Sequence, residues 1–464
     1  MSGRFEIISP VDGSIYAALS YADDSAVDAA VGRARAAQRE WARTNLGTRA
    51  ERCATFVRAM ERKSQDIAVE LAWLMGRPVR FGPAEIKRLG ERANHMAAIA
   101  DESLATIDIV AGDGILRRIR REPLGVVLVI APWNYPYLTA VNAIVPALMA
   151  GNAVILKHAS QTAPCGDRFA EAFGAAGLPA GLFQNVQMTH ASIDRIIAEQ
   201  KVGFIAFTGS VRGGRELECS AAGHFIGVAL ELGGKDPAYV RPDAPLEATA
   251  DALVDGAFFN SGQSCCAVER IYVHESIYQK FIDRFVDVTR ATQKLGNPLD
   301  QRTTLGPVVS AAAAQEIRSQ IEAAIDAGAR PLLSPDEFDT STPDGPYVPP
   351  QVLTDVHHGM SIMREETFGP AVGIMRVSSD DEAIHLMNDS RYGLTASLWT
   401  ADLEKAMPLA ERIETGTCFI NRCDYLDPAL AWVGIKESGR GCSLSSLGYA
   451  QLTRPKSYYA RELR

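Results

Sequence analysis

Cys265 is the residue of this chain best framed for covalent chemistry. It ends the run Phe259-Asn260-Ser261-Gly262-Gln263-Ser264 and is followed by Cys266 and Ala267. A thiol set among Gly, Gln and Ser reads as a nucleophile rather than as core packing. Upstream, Glu231 opens the segment Glu231-Leu232-Gly233-Gly234-Lys235 inside an otherwise apolar stretch. A carboxylate between Leu230 and Leu232 reads as a base kept away from bulk water. The pair describes sulfur attacking an electrophilic carbon, with activated water releasing the product.

Three further segments have the composition of a nucleotide and transition-state site. Phe207-Thr208-Gly209-Ser210-Val211-Arg212-Gly213-Gly214 follows a strand pattern and opens a helix, where backbone amides can approach a pyrophosphate. No GxGxxG fingerprint accompanies it, and a simple turn is the competing reading. Lys157 ends the apolar run Ala153–Leu156, the place where open α/β sheets bind ligands, and a solvated lysine is its alternative. In Ile130-Ala131-Pro132-Trp133-Asn134-Tyr135-Pro136 two prolines stiffen a loop whose Asn134 amide can donate to a developing oxyanion, or else form a turn.

Positioning such groups requires a scaffold, and the hydrophobic pattern supplies one. Asp23-Asp24-Ser25 caps a helical run through Glu40, and apolar residues recur at helical spacing from Arg49 to Met75, where Gly76-Arg77-Pro78 stops them. From Leu124 onward short apolar runs at 125–130, 153–156, 183–186, 202–207 and 228–230 alternate with helical stretches. A second series has strands at 237–240, 271–273 and 372–377 and helices at 248–260, 277–295 and 311–327. Two doubly wound, Rossmann-like α/β domains follow, with a boundary near Gly233-Gly234. Residues 334–350, rich in Pro, Asp, Ser and Thr, read as surface loop. Arg117–Arg121 alternates basic and apolar residues like a strand with one exposed face.

Composition narrows the class. The chain has 464 residues, 47% of them hydrophobic and 22% charged, with a net charge of −9. That length predicts two or three domains, and that charge opposes binding to a nucleic-acid backbone. Eight cysteines without a CxxC pair do not make a disulfide framework, and His357-His358 lacks ligand spacing, so no metal site is expected. Residues 138–156 carry no charge, but Asn142, Pro146, Gly151 and Asn152 make them a buried helix, a turn and a strand rather than a membrane span. No apolar leader segment is evident near Met1, which predicts a reduced, cytoplasmic setting.

In this order the motifs resemble the aldehyde dehydrogenase superfamily over nearly the whole chain. Those that carry the resemblance are 131–136, Gly177-Leu178-Pro179-Ala180-Gly181, 207–210, 231–235 and 262–265. Further along come Glu365-Glu366-Thr367-Phe368-Gly369-Pro370, Tyr392-Gly393-Leu394-Thr395-Ala396 and Gly434-Ile435-Lys436-Glu437-Ser438-Gly439. The resemblance implies oxidation of an aldehyde to an acid, with NAD or NADP as hydride acceptor. Cys265 would be the nucleophile and Glu231 the base. Asn134 and the Cys265 amide would form the oxyanion hole. It implies cofactor contacts at Ile130, Trp133, Lys157, Ser160, Ser210, Leu232, Glu366 and Phe368. It also implies a substrate channel at Tyr135, Tyr137, Asn142, Tyr425, Leu426 and Trp432, where Asn142, Asp424 and Arg422 could admit a polar tail. Cys266 is expected to be a buried structural thiol.

The implied organisation is a discontinuous dinucleotide-binding domain (1–104 and 124–233), a catalytic domain (234–436), and an oligomerisation element with tail (105–123 and 437–464). A homodimer or homotetramer would share the strands at 117–121 and 456–460. Two departures stand out. Ser160 occupies a position that is often Glu, which removes the repulsion of a 2′-phosphate and admits NADP beside NAD. Ser438-Gly439-Arg440-Gly441-Cys442-Ser443 lacks the late glutamate of many relatives, so no proton relay is expected from that segment. A coenzyme-A-acylating reaction is the near alternative, opposed by Glu231. A cysteine hydrolase using His274 and a non-catalytic role are the remote ones.

Overall fold

The computed structural model describes residues 3–110, 114–338 and 345–463, so residues 339–344 of the expected loop lie outside the described residues. Two parallel sheets organise the chain. The first has the strand order Gly439–Arg440, Gly227–Glu231, Phe204–Thr208, Val126–Ala131, Ala153–His158, Phe183–Asn185, parallel except for its first member. Its neighbouring strands Val126–Ala131 and Ala153–His158 are buried along their whole length, which is why they read as apolar runs.

The second sheet is ordered Arg330–Pro331, Gln351–Thr354, Ala371–Val377, Val268–His274, Asp236–Val240, Thr395–Trp399, Thr417–Ile420. Its helices Leu246–Phe258, Tyr278–Thr292 and Ala311–Asp326 fall within a few residues of the sequence expectation. The uncharged stretch becomes the helix Leu138–Met149, a turn at Gly151 and the strand Ala153–His158. Among the described residues no helix is long and apolar enough to cross a membrane.

Differences from the sequence expectation have local causes. The run from Arg49 to Met75 is two helices, Leu46–Arg62 and Ser64–Met75, broken at Lys63. Neither Gly nor Pro marks that break, so the apolar period runs straight across it. Ahead of the first helix lies an unforeseen hairpin, Arg4–Ile8 with Ile15–Ser20, whose turn contains Pro10, Asp12 and Gly13.

The segment after 437 also divides. Gly439–Arg440 joins the edge of the first sheet with Gly439 opposite Glu231, and the helix Ser445–Gln451 packs against Leu138–Met149. Only Thr453–Arg461 enters the small antiparallel sheet, paired with Ile115–Pro123, which in turn pairs Ile107–Ile109. The return to the first sheet brings the C-terminal segment beside Glu231.

Candidate active site

The loop carrying Cys265 has an unusual backbone. After the helix Leu246–Phe258, Asn260, Ser261 and Gly262 have φ of 55°, 56° and 70°, three successive left-handed residues. For Asn and Ser such a conformation costs about 1–3 kcal/mol and persists only when neighbours impose it. The Ser261 hydroxyl donates to the Gly306 carbonyl (2.9 Å), and the Gln263 side-chain oxygen accepts from Val309 N–H (2.7 Å). Gly262 is required, because a Cβ there would overlap the Gly369 carbonyl. A Cβ on Gly234 would likewise meet the Cys265 carbonyl, so the 231–235 segment passes directly beneath the thiol loop. Cys265 is partly exposed and Cys266 buried.

A buried network ties this loop to Asn134. Asn134 Nδ2 donates to the Gln263 carbonyl (3.2 Å), and Asn260 Nδ2 donates to the carbonyls of both Gln263 (3.1 Å) and Asn134 (3.3 Å). Arg77 is the hub. Its Nε donates to Asn260 Oδ1 (3.0 Å), Nη2 to the Asn134 carbonyl and Nη1 to Glu85. Glu85 in turn accepts from Tyr137 N–H (2.9 Å) and Leu138 N–H (3.3 Å), fixing the start of the helix after the Asn134 loop. His158 Nε2–H donates to the Pro136 carbonyl (3.1 Å), and burial holds the ring neutral, with its pKa lowered to about 4. Sequence reading missed Arg77, Glu85 and Asn260; a cation in the helix-stop Gly76-Arg77-Pro78 was the one visible sign.

Glu231 ends its strand opposite Thr208. The Thr208 hydroxyl donates to Oε2 (3.3 Å) and the Ser443 hydroxyl to Oε1. Burial raises the carboxyl's pKa, while the Ser443 and Thr208 bonds oppose that shift. Ser443 is held by a reciprocal backbone pair with Trp432, at 2.9 Å each way. The segment lacking the late glutamate therefore does reach Glu231, through a hydroxyl.

Cys265 and Glu231 line one cavity of about 60 Å³. Tyr135, Asn142, Tyr425, Leu426 and Trp432 line it too, as does Asp424. Tyr137 does not. It is fully buried against Phe169, with ring centroids 5.5 Å apart. Arg422 is exposed and stacks on the Tyr425 ring at 3.7 Å. Asn134 lies behind Tyr135 with one amide hydrogen on Gln263, not on the cavity wall.

The other face of the first sheet has the character of a nucleotide site. Ile130, Lys157, Phe207 and Gly213 line a cavity of about 520 Å³. Lys157 is 9% exposed with no hydrogen-bond partner among the described residues, and burial lowers its pKa. A buried ammonium without a partner at a strand's carboxyl end fits a ribose hydroxyl. Ser210 caps the helix Val211–Ala221 and lines a neighbouring pocket with Glu366. Ser160 bonds the Tyr21 hydroxyl (3.1 Å), and a Cβ on Gly214 would overlap Leu232. The Trp133 and Phe368 rings meet edge-on at 5.5 Å. Glu366 accepts from Gly234 N–H (3.0 Å), and burial beside Glu269 pushes its carboxyl to about 8.

A model of the aldehyde dehydrogenase family matches residues 1–458. The chain belongs to the aldehyde dehydrogenase family. Its reaction is that of the family, oxidation of an aldehyde to a carboxylic acid. It is 33% identical over 461 residues to a succinate-semialdehyde dehydrogenase [NADP(+)] of Mycobacterium avium, covering 97% of this chain and 96% of that one. A succinate semialdehyde dehydrogenase [NAD(P)+] of Escherichia coli is 33% identical over 442 residues, covering 95% and 94%. The structure of an indole-3-acetaldehyde dehydrogenase with NAD+ superposes with a TM-score of 0.93 at 30% identity, covering 99% and 93%.

Arg77→Met leaves Glu85 and the Asn134 carbonyl buried without their cation. Chemical denaturation should show a loss of about 3 kcal/mol or more, as for other broken buried pairs. A loss under about 1 kcal/mol would show that the hub contributes little.

Proposed function

We propose that Cys265 is the nucleophile and Glu231 the base of an NAD- or NADP-dependent, hydrolytic aldehyde dehydrogenase. The observation that carries this reading is one cavity lined by both side chains; Lys157, without a hydrogen-bond partner among the described residues, and Gly213 of the Gly-rich helix start line another. Lys157 and Glu366 would hold ribose hydroxyls and Ser210 the pyrophosphate, with Ile130, Leu232, Trp133 and Phe368 packing around the cofactor. Ser160, which is uncharged, leaves room for a 2′-phosphate. When bound, NAD or NADP supplies the hydride acceptor.

Cys265 thiolate adds to the aldehyde carbon. Asn134 and the Cys265 N–H stabilise the oxyanion, once the amide turns from the Gln263 carbonyl. Loss of hydride leaves a thioester on sulfur. Glu231 takes a proton from water, which attacks that thioester and frees the acid. Burial raises the basicity of Glu231, and Ser443 and Thr208 set its orientation. The named relatives make succinate semialdehyde the first aldehyde to assay. We further propose a cytoplasmic homodimer or homotetramer. The three-stranded sheet leaves its edges unpaired and exposes Ile107, Ile109, Leu116 and Tyr459, a face suited to a second copy.

Three outcomes follow. Cys265→Ala abolishes aldehyde oxidation while cofactor binding, read by fluorescence titration, persists; turnover by this variant ends the assignment. Glu231→Gln gives a burst of reduced cofactor near one equivalent per site, then a steady rate lower by roughly a hundredfold or more. Ser443→Ala removes a donor to the charged form, so the Glu231 pKa rises further. Its acid limb in a kcat–pH profile moves to higher pH, so the variant loses activity on the acid side and recovers it as the pH is raised. For assembly, light scattering gives at least twice the chain mass, and a monomer refutes the shared sheet.

A further inference from the structure

Two arginines in the substrate cavity have no part in the scheme above. Arg88 and Arg92 lie one turn apart on the helix Gly82–Ala98, and both line the cavity of Cys265 and Glu231. Arg92 is 7% exposed. Its Nη1 donates to the Leu138 carbonyl (2.9 Å) and to Asn142 Oδ1 (3.3 Å), both neutral acceptors. Among the described residues neither arginine has a carboxylate within ion-pair distance. A guanidinium has five N–H donors, so most of the capacity of Arg92 is unused. Burial lowers the Arg92 pKa to about 10, and the charge of Glu231 in the same cavity partly offsets that shift.

The carboxylates of the same cavity are differently placed. Glu231 accepts from Ser443 and Thr208. Asp424 Oδ1 accepts from the Cys266 thiol (2.9 Å) and the Ser264 hydroxyl (3.2 Å). Glu91 is exposed and reaches Lys87 at 4.0 Å. Each acid has a donor or faces solvent, whereas the buried cation, though it feels the Glu231 charge in the same cavity, has no carboxylate at ion-pair distance among the described residues.

We infer that Arg92, with Arg88 outside it and the Asn142 amide beside it, is a subsite for a carboxylate at the far end of the aldehyde substrate. This rests on the proposed roles of Cys265 and Glu231 and specifies the class of aldehyde they act on. The Asn142 oxygen accepts from Arg92, which leaves its Nδ2 without a partner among the described residues and free to donate. With about 10–15 Å³ per water-sized site, the cavity of about 60 Å³ suits a compact chain between the two polar ends. The substrate class is a short ω-carboxy aldehyde.

The test compares kcat/KM for succinate semialdehyde, pentanal and betaine aldehyde, which differ in the charge of the tail. The purified full-length protein is assayed with NAD and with NADP. The expected preference for the carboxylate over the neutral tail is about 30-fold or more, mainly in KM. Arg92→Met reduces that preference below about threefold, Arg92→Lys keeps part of it, and Arg88→Gln, at an exposed position, weakens it by a smaller factor. Calorimetric binding of succinate, which needs no turnover, is lost in Arg92→Met.

Equal or better use of pentanal by the wild type overturns the inference while leaving the reaction intact. A preference for betaine aldehyde overturns it in favour of Asp424 and Glu91. A uniform loss across all three aldehydes in Arg92→Met assigns Arg92 to the reacting centre instead. Should Arg92→Met fail to fold, the wild-type preference and Arg88→Gln decide. If no aldehyde is oxidised but succinate binds through Arg92, the subsite stands and the roles of Cys265 and Glu231 fall.

Discussion

One buried guanidinium holds together the parts that must meet around the thiol. Arg77 donates to Asn260, to the Asn134 carbonyl and to Glu85, joining the thiol loop, the Asn134 loop and the helix Gly82–Ala98. These contacts add to the bonds of Ser261 with Gly306 and of Gln263 with Val309 that hold the left-handed loop, and keep Asn134 near Gln263. An ion pair in the interior recovers its desolvation cost only when further hydrogen bonds satisfy both partners. Here those bonds exist: the three nitrogens of Arg77 donate to three different groups, and Glu85 also accepts from Tyr137 and Leu138. The charge is kept in the core by geometry, and the geometry is what the catalytic loop needs.

The two central side chains make opposite demands on their surroundings. Glu231 must be buried enough to be basic and still be held in its charged form. Burial raises its pKa, and two hydroxyls, from Thr208 on the adjacent strand and Ser443 on the returning C-terminal segment, pull it back. The charge of Arg92, which lines the same cavity, works in the same direction. Glu366 meets the same problem differently, with a single backbone N–H from Gly234, and burial beside Glu269 pushes its pKa to about 8.

Much of this was legible in the sequence wherever the signal is local. Val126–Ala131 and Ala153–His158 are unbroken apolar runs, and Lys157, Ser210 and Glu231 sit where their strands or helix starts place them. Five of the six expected channel residues meet in one cavity although nearly three hundred residues separate Asn142 from Tyr425, because the ordered motifs carried that information. Tyr137 was misjudged: a single residue separates it from Tyr135, and on the helix that begins there this spacing turns it into the core. Arg77 was legible only as a cation at a helix stop, and Ser443 not at all. Their partners lie 183 and 212 residues away, and neither a helix-stop arginine nor a serine in a glycine-rich turn announces a distant carboxylate or amide.

The C-terminal segment shows how tightly these devices are linked. Gly439 approaches the Leu230 carbonyl too closely for any side chain and has φ of 119°, and Gly441, with φ of 89°, packs on Ala229. The chain thus reaches the sheet edge only with glycine at both positions. Ser443 then pairs with Trp432, which lines the substrate cavity, and Cys442 N–H is held by Gln451 (3.1 Å) on the following helix. That helix leads at Thr453 into the strand paired with Ile115–Pro123. The exposed sheet and the buried carboxylate are thus held by one continuous segment, in which Ser443 bonds Glu231, Gln451 bonds Cys442, and Thr453–Arg461 completes the sheet.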